Sequence, residues 1–257
     1  MRDDLGTRMK ENYEKRYRFS IPRRTNVIIR VDGRSFHNYT KYLQRPYDLK
    51  FMEDMDQTAL YMCQNITGAK LAYVQSDEIS VLVTDYDTIH TESWFDGNLQ
   101  KFCSISAGLA TAKFNNLRLQ RKCYQYDLED AFKVIEQSQI ADCTLATFDS
   151  RVFVIPDDEE VVNYFYWRQL DATRNSIQMA GQAYFKHGEL MNLNRDQIQE
   201  KLFTEKDINW DKYPVGFKRG RAVKKMSPDS EWVIDTDMPI ISKDRDYIRS
   251  LMVRHYE

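Results

Sequence analysis

The sequence predicts an α+β fold of the ferredoxin-like type: an antiparallel sheet with helices on one face, followed by a C-terminal helical and hairpin extension. Three observations lead to it. Apolar runs of strand length alternate with stretches of three- and four-residue apolar spacing in the order strand, helix, strand, strand, helix, strand, the split βαβ pattern. Two runs stop at an acid, residues 27–31 at Asp32 and residues 71–74 shortly before Asp77. The chain has 257 residues, 42% of them hydrophobic, enough for a sizeable core.

Residues 2–19 alternate acid and base at helical spacing (Glu11, Glu14, Lys15, Arg18), which predicts a solvated N-terminal helix that Pro22 separates from the first strand. In that strand, period two places Val27, Ile29 and Val31 toward a core and Arg30 and Asp32 on the other side. Met52, Met55, Ala59 and Met62 or Cys63 then define a helix that Asn65 and Gly68 terminate. Strands follow over 71–74 and 79–83, with Gln75-Ser76-Asp77-Glu78 as the hairpin tip. A second helix is expected over about 98–115 with Leu99, Phe102, Ile105 or Ser106, Leu109 and Ala112 as its stripe, and Ser104, Ala107, Gly108 and Ala110 allowing close packing on the sheet. A strand over 145–155 closes at Pro156, leaving one sheet face open, and the acids are expected there. Asp157 and Asp158 can cap a long helix to about 185, and Asn194 with Gln197 forms a capping box for another ending near Leu202. The last stretch, from Pro214, reads as loops and a hairpin. Residues 1–160 are expected to form the catalytic core and 161–257 an extension packed on it as one structural unit.

Composition narrows the function classes. A net charge of -2 and a pI of about 6.1 give no global basic field, so any nucleic-acid contact must come from local patches. Cys63, Cys103, Cys123 and Cys143 lack zinc spacing and are expected to be reduced and mostly buried. The charged N-terminus and the absence of an apolar run of about 20 residues predict a soluble, cytoplasmic protein with no membrane partner.

Asp32 and Asp77 are the residues to which chemistry is assigned. An Asp-Gly pair alone is usually a turn. Two acids at the ends of neighbouring stiff strands, however, suit a magnesium-dependent phosphoryl-transfer site, because a hard octahedral cation needs fixed oxygen ligands. Gly33 lets the backbone approach a metal or phosphate and can offer its carbonyl. Glu78 is either an outer-shell acid or a solvated group at the hairpin tip.

Five blocks resemble the tRNA-His guanylyltransferase superfamily in family order: Arg30-Val31-Asp32-Gly33-Arg34-Ser35-Phe36-His37, Gln75-Ser76-Asp77-Glu78, Phe148-Asp149-Ser150-Arg151-Val152-Phe153-Val154-Ile155-Pro156, Tyr166-Trp167-Arg168-Gln169 and Phe217-Lys218-Arg219-Gly220. They span roughly residues 25–222. The resemblance implies a palm-type core, two Mg2+ ions held by Asp32, the Gly33 carbonyl and Asp77, and a nucleoside triphosphate wrapped by Asp32, Gly33, Arg34, Ser35, Phe36 and His37 with Ser76 and Asp77. It implies growth at the 5′ end of tRNA in the 3′-5′ direction with GTP and ATP as substrates, and a homotetramer. Basic residues near Arg45 and Lys101 in the family make these two candidates for triphosphate contacts, beside the group Lys113, Arg118, Arg121 and Lys122. Closely spaced cations in the C-terminal hairpin region, Lys218, Arg219 and Arg221 with Lys224 and Lys225, are candidates for the tRNA backbone. Tyr164, Tyr166 and Trp167 are expected as core and interface aromatics.

One departure bears on substrate choice. Where the tRNA-His-specific enzymes carry a His-Ile-Asn-Asn motif, this chain reads Thr173-Arg174-Asn175-Ser176. The pattern is similar to the guanylyltransferase-like proteins, which repair 5′-truncated tRNAs by template-directed addition. A tRNA-His-specific enzyme, a nucleotide cyclase and a noncatalytic RNA-binding protein are the alternatives, separated respectively by preference for tRNA-His, by a cyclic product from GTP, and by dispensable acids.

Overall fold

The computed structural model describes residues 4–123, 145–227 and 230–252, with the side chains of Lys122 and Cys123 outside that description, as is Cys143. A helical N-terminal segment starts with α1 (Asp4–Met9) and continues to Tyr17 with no buried residue. The core elements follow: β1 (Asn26–Gly33), α2 (Phe36–Tyr39), α3 (Leu49–Asn65), β2 (Ala69–Gln75), β3 (Glu78–Val83), α4 (Leu99–Cys123) and β4 (Phe148–Ile155). After them come α5 (Asp158–Tyr184), α6 (His187–Leu190), α7 (Arg195–Lys206), α8 (Val215–Arg219), β5 (Arg221–Lys225), β6 (Trp232–Asp235) and α9 (Asp246–Arg249). The strands form one antiparallel sheet in the order β4-β1-β3-β2-β5-β6. Its first four positions are the expected split βαβ order. The C-terminal hairpin is not a separate feature but extends the same sheet, pairing Ala222 with Tyr73 and Val223 with Ala72.

Strand alternation sorts the core into two layers. Val27, Ile29 and Val31 face the layer of α3 and α4, with Phe51, Met55, Ala59 and Met62 from α3 and Phe102, Ala110 and Phe114 from α4. Asp48 starts α3 by accepting from the Phe51 N–H at 2.9 Å, and the chain leaves it through Gly68 at φ +82°, where a Cβ would sit 2.2 Å from the Thr84 carbonyl oxygen. The buried row of α4 is Phe102, Ser106, Ala110 and Phe114, not the expected row ending at Ala112. Close approach comes from Ser106, whose hydroxyl meets that of Ser150 at 2.7 Å, whereas Gly108 faces open space. The helix runs past Asn115 because that side chain is occupied elsewhere, pairing with both backbone groups of Ala146.

The face expected to be open is partly covered. Ile28, Leu71, Tyr73, Leu82 and Ala222 pack against Val161, Val162, Tyr164 and Phe165 of α5 and against Met238 and Ile241. Helix α5 is long enough to do this because Asp157 caps it and its apolar positions recur at helical spacing. The Asn194–Gln197 capping box forms as expected, and α7 seats Ile198 and Leu202 against the far half of α5.

Two cations expected at the surface are structural instead. Arg221 is buried, with Nε 2.6 Å from Asp56 Oδ1 and Nη1 3.0 Å from the Gly216 carbonyl. Lys218 is buried too, its Nζ held by the backbone and side chain of Asp211. Each faces inward because the apolar alternation of β5 and the short α8 point it there, so neither is presented to an RNA backbone. Burial pushes the Asp56 carboxyl upward and Arg221 pulls it back down. Arg221→Ala therefore leaves a buried carboxylate unpaired, with an expected cost of about 3–5 kcal/mol. Arg219→Ala, at a partly exposed position, is expected to cost no more than about 1 kcal/mol. Urea unfolding of the two variants measures the contrast, and equal midpoints would remove the role assigned to the Asp56–Arg221 pair.

Candidate active site

Antiparallel pairing of β1 with β3 sets Asp32 directly opposite Glu78, and the β2–β3 turn brings Asp77 to the same place. The Gly33 N–H donates to the Asp77 carbonyl at 3.2 Å, joining the end of β1 to the hairpin tip. Ser76 makes the tight turn with φ +46°, and its hydroxyl donates to the Asp77 carboxylate. The two acids that the sequence singled out are thus neighbours on stiff strand ends.

Their surroundings oppose ionisation. Burial pushes the Asp77 carboxyl up to about 6, with the charges of Asp32 and Glu78 adding to it and the Ser76 hydroxyl and a backbone N–H pulling back. Asp32 is raised as well, first by burial and then by Asp149, against the pull of Arg151 and Arg30. Asp149 lies opposite Asp32 across β1 and β4, and it is a fourth acid at this end, one that the sequence alone did not single out. Its signal was the polar alternation Asp149, Arg151 inside an otherwise apolar edge strand.

Glu78 is neither solvated at the hairpin tip nor free to turn outward. Arg168 of α5 grips it through Nε at 2.8 Å and Nη2 at 2.7 Å, with both side chains nearly buried. Asp171 takes a further bond from Arg168 at 3.1 Å, and the exposed Trp167 ring lies over the guanidinium at 4.5 Å. Tyr164 beside them meets Ser80 at 2.8 Å. The Tyr166-Trp167-Arg168-Gln169 block marks Arg168 by resemblance, but no spacing ties it to a partner 90 residues away in sequence. Arg30 stands on the same face as Asp32, and its buried Nε has no hydrogen-bond partner.

The loop after β1 explains why Gly33 is a glycine. A Cβ there would lie 2.3 Å from the Phe36 ring, which is buried among Tyr39, Phe51, Phe114 and Phe148. Phe36 therefore shapes the loop from below and does not present its side chain to a nucleotide. Arg34, Ser35, His37 and Ser76 are exposed around the acids, with Ser35 at φ +56° and the Arg34 N–H held by the Thr147 carbonyl at 2.8 Å.

The more distant cations divide. Arg45 is exposed in a loop at this end of the sheet, where the neighbouring Tyr47 ring packs on Phe217 at 4.7 Å. Lys101 is not brought to the acids: it sits on the first turn of α4, in the layer on the opposite sheet face, with Nζ 5.4 Å from the Phe95 ring centre. Arg118 and Arg121 are occupied by Asp54 and Glu53, and Lys113 lies over Tyr61. Lys224 pairs with Asp235 at 2.8 Å and Lys225 stacks on Trp232. Arg219 remains partly exposed near this surface.

Two carboxylates and a backbone carbonyl are hard oxygen donors, and burial first, then neighbouring acids, raises both Asp32 and Asp77. That donor set fits a magnesium ion that keeps waters for its remaining positions. Among the described residues no group of three or more His, Cys, Asp or Glu side chains is placed to hold a metal ion, so the candidate donors are two carboxylates and a backbone carbonyl.

A family model described as tRNAHis guanylyltransferase matches residues 6–156, more than half of the chain. The chain belongs to the tRNA-His guanylyltransferase family. It is similar to a bacterial tRNA(His) guanylyltransferase-like protein solved in complex with ATP, with 46% identity, TM-score 0.84, and coverage of 97% of this chain and 99% of the other. The same comparison with a GTP complex gives 43% identity and TM-score 0.78 over 97% and 99% of the two chains. A tRNA(His) guanylyltransferase from Debaryomyces hansenii is 26% identical over 220 residues, 80% of this chain and 75% of that protein. The Saccharomyces cerevisiae tRNA(His) guanylyltransferase crystal structure, at 20% identity and TM-score 0.67, shares the fold over 91% of this chain and 100% of the other. As a family member the chain is a nucleotidyltransferase of tRNA processing, built on a palm-type fold.

The electrostatics give a directional test. The folded Asp77 carboxyl titrates at about 6, above the unfolded value of ~3.9, so its ionisation costs stability above that range and the cost fades as pH falls toward the unfolded value. In chelator, Asp77→Asn is expected to raise Tm by about 2–4 °C at about pH 8 and by less at about pH 5. A lower Tm at the higher pH would contradict the charge balance described here.

Proposed function

We propose that the chain is a magnesium-dependent 3′-5′ nucleotidyltransferase that adds template-directed nucleotides to the 5′ ends of truncated tRNAs. The observation that carries this is the meeting of Asp32 and Asp77 at paired strand ends within a member of this family. Asp32, the Gly33 carbonyl and Asp77 would hold two magnesium ions. When bound, these lower the pKa of an attacking hydroxyl and stabilise charge on the transferring phosphoryl group. The similarity to ATP- and GTP-bound relatives supports both nucleotides as substrates.

The chain's residues then have positioning work. Gly33 and the exposed Arg34, Ser35, His37 and Ser76 would surround a bound triphosphate, and the Arg30 guanidinium adds positive charge on the same face. Arg45 lies at the same end and is the better placed of the two cations assigned to triphosphate. Arg168 keeps Glu78 facing inward, so that Asp32 and Asp77 remain the carboxylates free to take a metal. Arg219, partly exposed, would meet an RNA phosphate.

With a 5′-monophosphorylated tRNA, a phosphate oxygen attacks the α-phosphorus of a nucleoside triphosphate and pyrophosphate leaves. The 3′ hydroxyl of the incoming nucleotide then attacks the activated 5′ phosphorus, loses its proton and expels the nucleoside monophosphate. A triphosphorylated end skips the first step and loses pyrophosphate in the second. We further propose a cytoplasmic homotetramer.

Incubation with labelled GTP and equal amounts of 5′-truncated tRNAs and intact tRNA-His tests the proposal. Restoration of the Watson-Crick partner of the facing base on several truncated tRNAs is expected. A preference for intact tRNA-His of more than ~10-fold in kcat/KM would establish the tRNA-His-specific alternative instead. Asp32→Ala and Asp77→Ala are each expected to reduce addition by more than ~10²-fold with Tm retained. Near wild-type turnover in either variant at saturating magnesium would sink the assignment.

A further inference from the structure

A cleft of about 1290 Å3 opens at the end of the sheet remote from the acids. It is lined by the start of β2, the end of β5 and the start of β6, whereas Asp77 follows the other end of β2. The six steps of β2 from Ala69 to Gln75, at ~3.3 Å each, set the two places about 20 Å apart. Cys63 and Ile66 at the end of α3, with Ala69, give the cleft an apolar floor. One wall is the loop after β3, which carries Asp87, Thr88 and His90. That wall is built in advance of any ligand. Asp85 at its base accepts from Arg23 Nε at 2.6 Å and from the Arg24 N–H at 2.7 Å, and the Thr88 and Thr91 hydroxyls meet at 3.1 Å.

Strand register places the charges and the ring. The β2–β5 ladder ends with Leu71 opposite Lys224, so Lys70 and Lys225 are the next neighbours across it, and Lys225 lies opposite Trp232 on β6. All three line the cleft. Two ammonium groups at neighbouring strand positions repel. Asp87 answers Lys70 at 2.5 Å, and it is the one carboxylate among the described residues that line the cleft, against two lysines with His90 beside them. In a chain of net charge -2 this local surplus suits an anion. Trp232 is half-buried against the core layer of α3, with Lys225 Nζ 5.6 Å from its ring centre. A ring with cations beside it matches a base with its phosphate. Gln64, Thr88 and Ser227 add neutral donors and acceptors for a base edge or a sugar. An acyl chain would leave the two lysines facing apolar matter, and an inorganic anion would leave the ring and the floor unused.

We infer that this cleft binds a nucleotide other than the one consumed at Asp32 and Asp77, with its base against Trp232 and its phosphate at Lys70 and Lys225. A free nucleotide and an unpaired nucleotide of an RNA strand share this chemistry. The site stands apart from the proposed reaction, since none of its groups lies at the acids.

Calorimetric titration of the full chain in chelator tests this without requiring any nucleotide addition, with circular dichroism melting as the folding control. The probes are AMP, ribose 5-phosphate and a single-stranded adenosine hexanucleotide. One AMP per chain is expected, and ribose 5-phosphate is expected to bind at least ~10-fold more weakly for want of a base. Trp232→Ala is expected to weaken AMP by about 10-fold, and Trp232→Phe, which keeps a ring, to stay close to wild type. Lys225→Ala, at a partly exposed position, is expected to weaken both AMP and the hexanucleotide and to flatten the salt slope of the latter by about 0.7. A hexanucleotide more than ~10-fold tighter than AMP identifies an RNA strand as the source, and any smaller ratio a free nucleotide. Photolabelling with 8-azido-AMP is expected to mark peptides around Trp232 or His90. Absence of AMP and hexanucleotide binding to the wild type would overturn the inference. So would Trp232→Ala and Lys225→Ala variants that bind as tightly as wild type, or a label confined to residues 32–37 and 75–78.

Discussion

The pairing register of β1 with β3 is the constraint on which the site depends. Because side chains alternate with period two, the register that buries Val27, Ile29 and Val31 under α3 and α4 also sends Arg30 and Asp32 to the other face. A slip of one residue would drive Asp32 into that apolar layer and expose three β-branched side chains. The same pairing ends at the turn where the Gly33 N–H meets the Asp77 carbonyl, so core burial and the meeting of the two acids are enforced by one set of hydrogen bonds. The aromatic cluster around Phe36 then prevents any side chain at position 33, which keeps the backbone at the end of β1 open to approach.

Charge at this end is arranged at a cost to stability that packing elsewhere offsets. Asp32, Glu78 and Asp149 are cross-strand neighbours at one end of the sheet with Asp77 in the adjoining turn, and only Glu78 is neutralised by a bidentate, nearly buried guanidinium. Asp32 and Asp77 are left with raised carboxyl groups because desolvation and mutual repulsion outweigh what Arg30, Arg151 and the Ser76 hydroxyl return. A folded chain with no further role for those groups would gain by losing one of them. In the proposed function this is a division of labour, in which one acid ties the sheet to α5 and two remain for a cation.

What the sequence displayed and what it hid follow from interaction range. The strand and helix order, the Asp157 cap and the Asn194–Gln197 box are local patterns, and each formed where expected. The acids were legible because their strand runs and the hairpin tip are also local. The Arg168–Glu78 grip, the Asp56–Arg221 pair and the joining of β5 to β2 link positions far apart in sequence, and no spacing rule reaches them. Lys218 and Arg221 misled because a basic tetrapeptide gives no sign of which of its side chains an inward-facing strand position will bury. Lys101 misled for a related reason: its helix lies on the sheet face opposite the acids, and only the fold assigns faces.

The departure at Thr173-Arg174-Asn175-Ser176 can be narrowed by the same reasoning. Ser176 is buried, accepts from the Trp210 indole at 3.2 Å and has the Thr173 carbonyl at 2.9 Å and the Lys218 carbonyl at 3.3 Å as acceptors for its one proton. The Thr173 hydroxyl is spent on the Gln169 carbonyl. Neither side chain is free to recognise a substrate, so a change at those two places alters how α5 seats against α8 and its neighbours. Only Arg174 and Asn175 face solvent, and both lean on Asp171, which in turn touches Arg168 and through it Glu78. Any contact this helix makes with RNA at that motif must pass through those two side chains, and both are already engaged by Asp171. The proposed discrimination by base pairing asks no more of this surface than a backbone contact, which Arg174 can make by releasing Asp171.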